Sequence, residues 1–268
     1  MSPQIRKWKA VFSIYLQDGI AYRASGIIWI MTDLVTAVTM PLVWARASAA
    51  SGGPIAGFHT GDFVLYYLCL LCLNNFITSH IMWDLAMEIK EGNFTVMLIR
   101  PMSYYQFSFF RNLAWRLIRT SLFLPVFVVL LVAYHGYLKD AHVFISWQFM
   151  MSVILGHLVS FTFVMMMTML ALFTQEVFSI FELYYVPLMF LSGQLFPVSV
   201  LPGWAQFVAK LFPFYFTTGA PTEILIGRVQ GAGVYQVLIT QVVWIAVAYA
   251  ASRVLWAKGL KHYTAVGM

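Results

Sequence analysis

The sequence predicts an all-α integral membrane protein, and three observations carry that prediction. Of 268 residues, 61% are hydrophobic and only 10% are charged, where soluble domains carry about 25% charged residues. A chain this apolar has too little polar surface to cover a water-facing exterior. Apolar runs long enough to cross a bilayer, about 20 residues, occur six times, at 25–45, 62–84, 114–134, 143–173, 178–198 and 234–256. They are too long and too unalternating for barrel strands. Backbone groups in hydrocarbon need internal partners, so the six runs are read as transmembrane helices. The fourth exceeds what a span requires and is expected to tilt or project beyond the lipid.

Six spans put both termini on one side. With that side cytoplasmic, the inner segments hold Arg6, Lys7, Lys9, Arg23, Lys90, Arg100, Arg111, Arg116, Arg119, Arg253, Lys258 and Lys261. The outer segments hold Arg46, Lys139, Lys210 and Arg228. Twelve against four satisfies the positive-inside rule with cytoplasmic termini. The "ARASAAS" stretch at 45–51 offers cleavage-like sites. The run before it is longer than a signal-peptide core and contains Asp33, so it is expected to stay as a span.

Residues 4–23 are not apolar enough to cross. Trp8, Val11, Phe12, Tyr15 and Tyr22 share one helical face, opposite Arg6, Lys9, Ser13 and Gln17, a pattern that predicts an interfacial amphipathic helix. A loose leader is the plainer alternative. Small residues at 47–61 read as an outer loop, and "TQEV" at 174–177 is short enough to make a tight inner hairpin. Between the fifth and sixth runs, Pro197, Pro202, Pro213 and Pro221 punctuate a stretch that stays too apolar for an ordinary loop. Irregular backbone at membrane depth survives only when protein or a water-filled cavity surrounds it. Residues 199–232, with Phe212 among their apolar side chains, are therefore expected to form short re-entrant helices at the outer face, at 203–212 and 219–227. No repeat divides the chain, which reads as a single domain over 1–268.

Several function classes are excluded. No Lys/Arg cluster exceeds the RKWK run at 6–9, so nucleic acid is not an expected partner. Cys69 and Cys72 lie inside an apolar run with no His or carboxylate placed to complete a metal site, and they read as packing residues. No clustered His, Asp or Ser-Lys set suggests a membrane-embedded enzyme. No G-x-x-x-x-G-K-[ST] phosphate loop is present, so ATP binding is not expected here.

Polar groups inside the spans are few and therefore informative, since a charge at a helix centre costs about 2.5–3.5 kcal/mol on insertion scales. Asp33 is expected to pair with a neighbouring helix or to line a path. Glu176 and Glu182 flank the start of the fifth span and fit an inner mouth or a solvated hairpin equally well. Asn75 and Ser79 share a face with Cys72, and Asn74 lies close by. Such a stripe glues helices together or walls a cavity. His157 is expected to bond a neighbouring carbonyl.

The conspicuous interruption is residues 84–107, where "LAMEIKEGNFTVML" reads as a short helix broken near Gly92 and stopped before Pro101. Glu88, Lys90 and Glu91 keep it out of lipid. Met87, Phe94, Met97 and Leu98 leave it an apolar side that needs a partner or its own bundle. Two motifs carry a resemblance. Glu88-Ile89, Glu91-Gly92 and Leu98-Ile99-Arg100-Pro101 resemble the first cytoplasmic loop of ABC-2 type permeases. Pro187, Ser192-Gly193, Phe196-Pro197 and Leu201-Pro202 resemble the block that runs from the fifth helix into the re-entrant segment of the same family.

The resemblance implies the transmembrane subunit of an ATP-driven exporter. Two copies of a separate ATPase subunit would bind ATP and magnesium, with no cofactor in this chain. A second permease subunit, identical or related, would complete the path among membrane lipids. The resemblance assigns Glu88, Glu91, Gly92, Asn93, Phe94, Leu98, Arg100 and Pro101 to ATPase coupling, with Phe94 and Leu98 filling a groove and Gly92 permitting the bend. An ion-coupled secondary transporter or a non-transporting scaffold subunit are the alternatives.

Overall fold

The computed structural model describes residues 3–139, 141–174 and 177–263. Among them the regular elements are helices, with no strand. The chain begins with α1 (Pro3–Ala21), α2 (Arg23–Ser51) and α3 (Thr60–Ile77). Two short helices, α4 (Met82–Lys90) and α5 (Phe94–Leu98), lead into the long α6 (Tyr104–Ala133). Then come α7 (Trp147–Thr168), which tightens to 3-10 geometry over Met169–Leu172, and α8 (Val177–Leu191). Three short helices, α9 (Gly203–Leu211), α10 (Phe214–Thr217) and α11 (Gly219–Leu225), precede α12 (Ala232–His262).

Five tracts are long and apolar enough to cross a membrane: α2 from Gly26, α3 with α4, α6, α7 with its extension, and α12. The chain is therefore a multi-pass membrane protein. The helix α8 is apolar but has only 15 residues. Burial separates inner from outer spans. The most apolar window of the α3 tract is 78% buried and that of α7 is 61% buried, against 19%, 28% and 22% for α2, α6 and α12. The last three turn rows such as Ile28, Val129, Val132 and Ile239 outward, where lipid or another subunit must cover them.

The helix α1 lies along α6. Trp8 stacks on Phe110 at 5.5 Å and Tyr15 meets Phe107 edge-on at 5.3 Å, while Tyr22, expected on the same face, is exposed. Side chains start the later spans: Ser103 accepts from the Gln106 amide at 3.3 Å and Ser146 from the Phe149 amide at 3.2 Å, as N-caps do. The helices α2, α6 and α8 run unbroken through Pro41, Pro125 and Pro187.

The structure corrects three boundaries. The run at 62–84 is not one helix: α3 stops at Ile77, and Thr78–Ile81 is irregular without Gly or Pro. Side chains from other helices satisfy that broken backbone. Arg116 Nη1 donates to the Asn75 carbonyl at 3.2 Å, His157 Nδ1 lies 3.1 Å from the Ile77 carbonyl, and the Ser79 amide donates to Ser160 Oγ at 2.9 Å. A cation at a helix C-terminus also suits the helix dipole. Residues 104–113, ahead of the predicted third run at 114–134, are the first turns of α6. The fifth run ends at Leu191 rather than 198 because Gly193 turns the chain at φ +90°. A Cβ at Gly193 would meet the Tyr66 hydroxyl.

Candidate functional site

The segment predicted to contact a partner is anchored at its base and exposed at its tip. Along α4, Arg111 from α6 binds Asp84 at 2.5 Å and Glu88 at 2.9 Å. The same guanidinium lies over the rings of Tyr15 at 5.7 Å and Phe107 at 5.5 Å, so one side chain ties α1, α4 and α6 together. Gly92, at φ +75°, reverses the chain between α4 and α5, a conformation that side chains resist. Asn93 Nδ2 donates to Glu91 Oε2 at 3.1 Å across that turn.

Beyond the turn, Val96, Leu98 and Ile99 are 51%, 42% and 81% exposed. They form an apolar tip flanked by exposed Glu91, Arg100 and Pro101. Arg100 rests over the Phe107 ring at 5.5 Å. A cavity of about 140 Å³ opens beside the tip, between Met97, Leu98, Met102 and Trp256.

Two residues expected on the contact surface face inward. Phe94 is fully buried, edge-on to Tyr104, Trp256 and Tyr263 at 6.1, 5.8 and 5.0 Å. Five-residue α5 has one face that can reach the bundle, and the largest ring takes it. In this conformation the Phe94 ring is turned to its own bundle. Glu88 is largely covered and ion-paired to Arg111. Both hold the segment to its own bundle and leave the tip to Val96, Leu98 and Ile99.

A second polar cluster lies about midway along α6. Asp33 pairs with Arg119, so the expected neighbour-helix partner exists. Arg116 and Arg119 are 1% and 2% exposed, which removes them from the charges assigned above to cytoplasmic segments. The balance still stands at ten against four. Asn75 is buried and donates to the Leu71 carbonyl at 3.0 Å, while Ser79 Oγ accepts from Asn112 at 3.2 Å. Ser79 thus ties the connection after α3 to α6, whereas the Asn75 side-chain bond stays within α3. Asn74 instead lines a small cavity with Asp33, Tyr67 and Gln194. Glu182 is exposed. Glu176, and with it part of the 174–177 hairpin, lies outside the described residues.

At the other end, Pro197 and Pro202 occupy the N-cap positions of a 3-10 turn and of α9, and buried Pro213 that of α10, beside exposed Phe212. Glu223, 2% exposed, organises this region. Its carboxyl accepts from the Ser199 amide at 3.0 Å and from the Tyr215 hydroxyl at 2.8 Å. Tyr66 and Tyr67 on α3 donate to the carbonyls of Gly193 and Leu195 at 2.9 and 2.7 Å. Sequence reasoning passed over Glu223 and Arg111. The available signal was a lone carboxylate in the otherwise uncharged "GAPTEIL", and a lone guanidinium in "FSFFRNLAW". Among the described residues no three His, Cys, Asp or Glu converge as a metal site.

A search of curated proteins returns no match to this chain. The sequence pattern of the family described as "ABC-2 family transporter protein" matches residues 24–267, which takes in every element from α2 to α12. That coverage includes both the Gly92 turn and the Gly193 block. The chain belongs to the ABC-2 transporter family, as an ABC-2 type permease.

Proposed function

We propose that this permease is the transmembrane subunit of an ATP-driven exporter of the cell membrane. Two separate ATPase subunits bind ATP and magnesium and act on the 84–101 segment, and a second permease, identical or related, completes the substrate path. One observation carries this reading: an exposed apolar tip, Val96 to Ile99, is fixed to the bundle by fully buried Phe94 and by the Arg111 ion pairs. A flexible loop would absorb a push; an anchored helix transmits it to α6 and α12. The chain has no phosphate loop of its own, so the ATPase is a partner.

In this reading α8 completes six spans, with both termini and the 84–107 segment in the cytoplasm. The loops at 52–59, 135–146 and 226–231 gather at the opposite end. The Phe144 amide donates to the Leu225 carbonyl at 2.7 Å, and Arg228 donates to the Gly57 carbonyl at 2.7 Å and pairs with Asp62 at 3.2 Å. That clustering supports an even number of crossings and α9 to α11 as a re-entrant cap at the outer face. The outward apolar rows of α2, α6 and α12 serve lipid and the second permease.

Co-expression with the ATPase tests the coupling role. Ile99→Asp removes an apolar contact and adds a charge at an 81% exposed position, so the permease should accumulate as the unmodified chain does. Recovery of the ATPase with the permease should fall roughly tenfold or more, as for a contact of central importance. Unchanged recovery and unchanged ATP turnover would remove the tip from the interface.

A further inference from the structure

We infer that the cavity between α1, the irregular Thr78–Ile81 connection and α6 is a binding site for the phosphate or carboxylate head group of an amphiphile, with Arg119 as its anion-binding residue. The cavity holds about 390 Å³. Tyr15, Trp83 and Trp115 supply aromatic walls, and Arg119 and Asn112 line its polar end. Asp18, His80, Asp84 and Arg111 complete a wall in which aromatic faces and polar groups converge on one space, as ligand sites combine them.

The charge at that end is unbalanced. Arg116 and Arg119 stand three residues apart on α6, hence on neighbouring turns of one face, and both are buried. Of the two, Arg119 alone has a carboxylate at ion-pair distance among the described residues, that of Asp33. Arg119 Nε has no hydrogen-bond partner, and Arg116, whose Nε and Nη2 also lack one, adds its charge from behind the cavity wall rather than on it. Buried guanidinium donors left this way are costly, and an oxyanion is the group whose geometry a guanidinium fork matches. Asp84, also on the cavity wall, is already held by Arg111, and Asp18 is exposed at α1. The anion is thus attracted to Arg119 rather than to the α1 side. The aromatic walls take the first methylenes of an acyl or prenyl tail.

Asp33 is then an internal stand-in for the ligand. It occupies one side of the Arg119 fork until an external oxyanion competes for it. The cavity borders the base of the coupling segment through Asp84 and Arg111, and its occupancy is measurable without an ATPase.

The experiment uses the full-length chain in a maltoside detergent. Dioctanoyl phosphatidic acid is compared with dioctanoylglycerol, which has the same tails without the phosphate, and with inorganic phosphate. Quenching of tryptophan fluorescence and native mass spectrometry report binding. Phosphatidic acid should bind at least tenfold more tightly than dioctanoylglycerol. Arg119→Gln should weaken it roughly tenfold to a hundredfold, the value of a charge-assisted hydrogen bond. Asp33→Asn frees Arg119 from its competitor and should tighten binding several-fold, which a merely structural ion pair would not do; this second variant keeps the test intact if Arg119→Gln misfolds. Equal binding of the two lipids, or weaker binding after Asp33→Asn, overturns the site. Inorganic phosphate binding as well as phosphatidic acid overturns the amphiphile in favour of a free ion.

Discussion

Arg111→Met should destabilise the permease by about 3 kcal/mol, a drop of roughly 6–12 °C in thermal midpoint, because it strands two carboxylates. Arg111 binds both Asp84 and Glu88, and all three side chains are at least two-thirds covered. Met preserves much of the packing against Tyr15 and Phe107 but none of the charge. The remaining exposure of Asp84 lets some water reach it, which places the loss at the low end of the range for broken buried pairs. Adding Glu88→Gln to Arg111→Met should recover part of the loss, since neighbouring groups in one network are not additive. A thermal scan of the three proteins in detergent checks the prediction. If Arg111→Met melts with the unmodified chain, the α4–α6 ion pairs contribute nothing and the segment is not anchored as described.

Glu223→Leu should be comparably damaging, and Glu223→Gln much less so. The Glu223 carboxyl is the acceptor for both the Ser199 amide and the Tyr215 hydroxyl. Leu has nearly the right size and no acceptor, so both donors lose their partner inside the protein. Hydrogen bonds to such groups are each worth about 1.5–3 kcal/mol, and the expected loss is roughly 3–5 kcal/mol. Gln keeps one oxygen for the Ser199 amide, and its amide group can donate to the Tyr215 oxygen, which should restore more than half. The damage should be local. Limited proteolysis of Glu223→Leu should first cut within 192–231, while the α3–α7 core stays protected. First cleavage elsewhere would show that Glu223 does not hold this region.

These two side chains mark where the sequence stopped being readable. The apolar runs were legible because hydrocarbon demands length and composition, and both are local properties of the chain. The turn at Gly92 was legible for the same reason: one residue type is suited to φ +75°. The break at Thr78–Ile81 was not, because neither Gly nor Pro marks it. It is supported by Arg116, His157 and Ser160, which lie 41, 80 and 81 residues from the backbone groups they satisfy. Asp33 announced that it needed a partner, but not that Arg119, 86 residues on, would supply it. Phe94 is the instructive case. An aromatic ring in a segment of mixed polarity could face a partner or its own bundle, and the arrangement of Tyr104, Trp256 and Tyr263 decides between them.

Contact between the α4–α5 tip and the ATPase underlies the proposed coupling. Both native cysteines, Cys69 and Cys72, lie inside the bundle with Cys69 buried, so a cysteine added at the surface is the reactive one. Ile99→Cys and Trp204→Cys place a thiol at exposed sites of 81% and 74%, at opposite ends of the bundle. In membranes containing the co-expressed ATPase, a short reagent reactive to thiol at one end and photoactivated at the other should join the Ile99→Cys permease to the ATPase and leave Trp204→Cys unjoined. Added ATP should change the yield. Crosslinking from Trp204→Cys, or none from Ile99→Cys while the complex still purifies intact, would contradict the account.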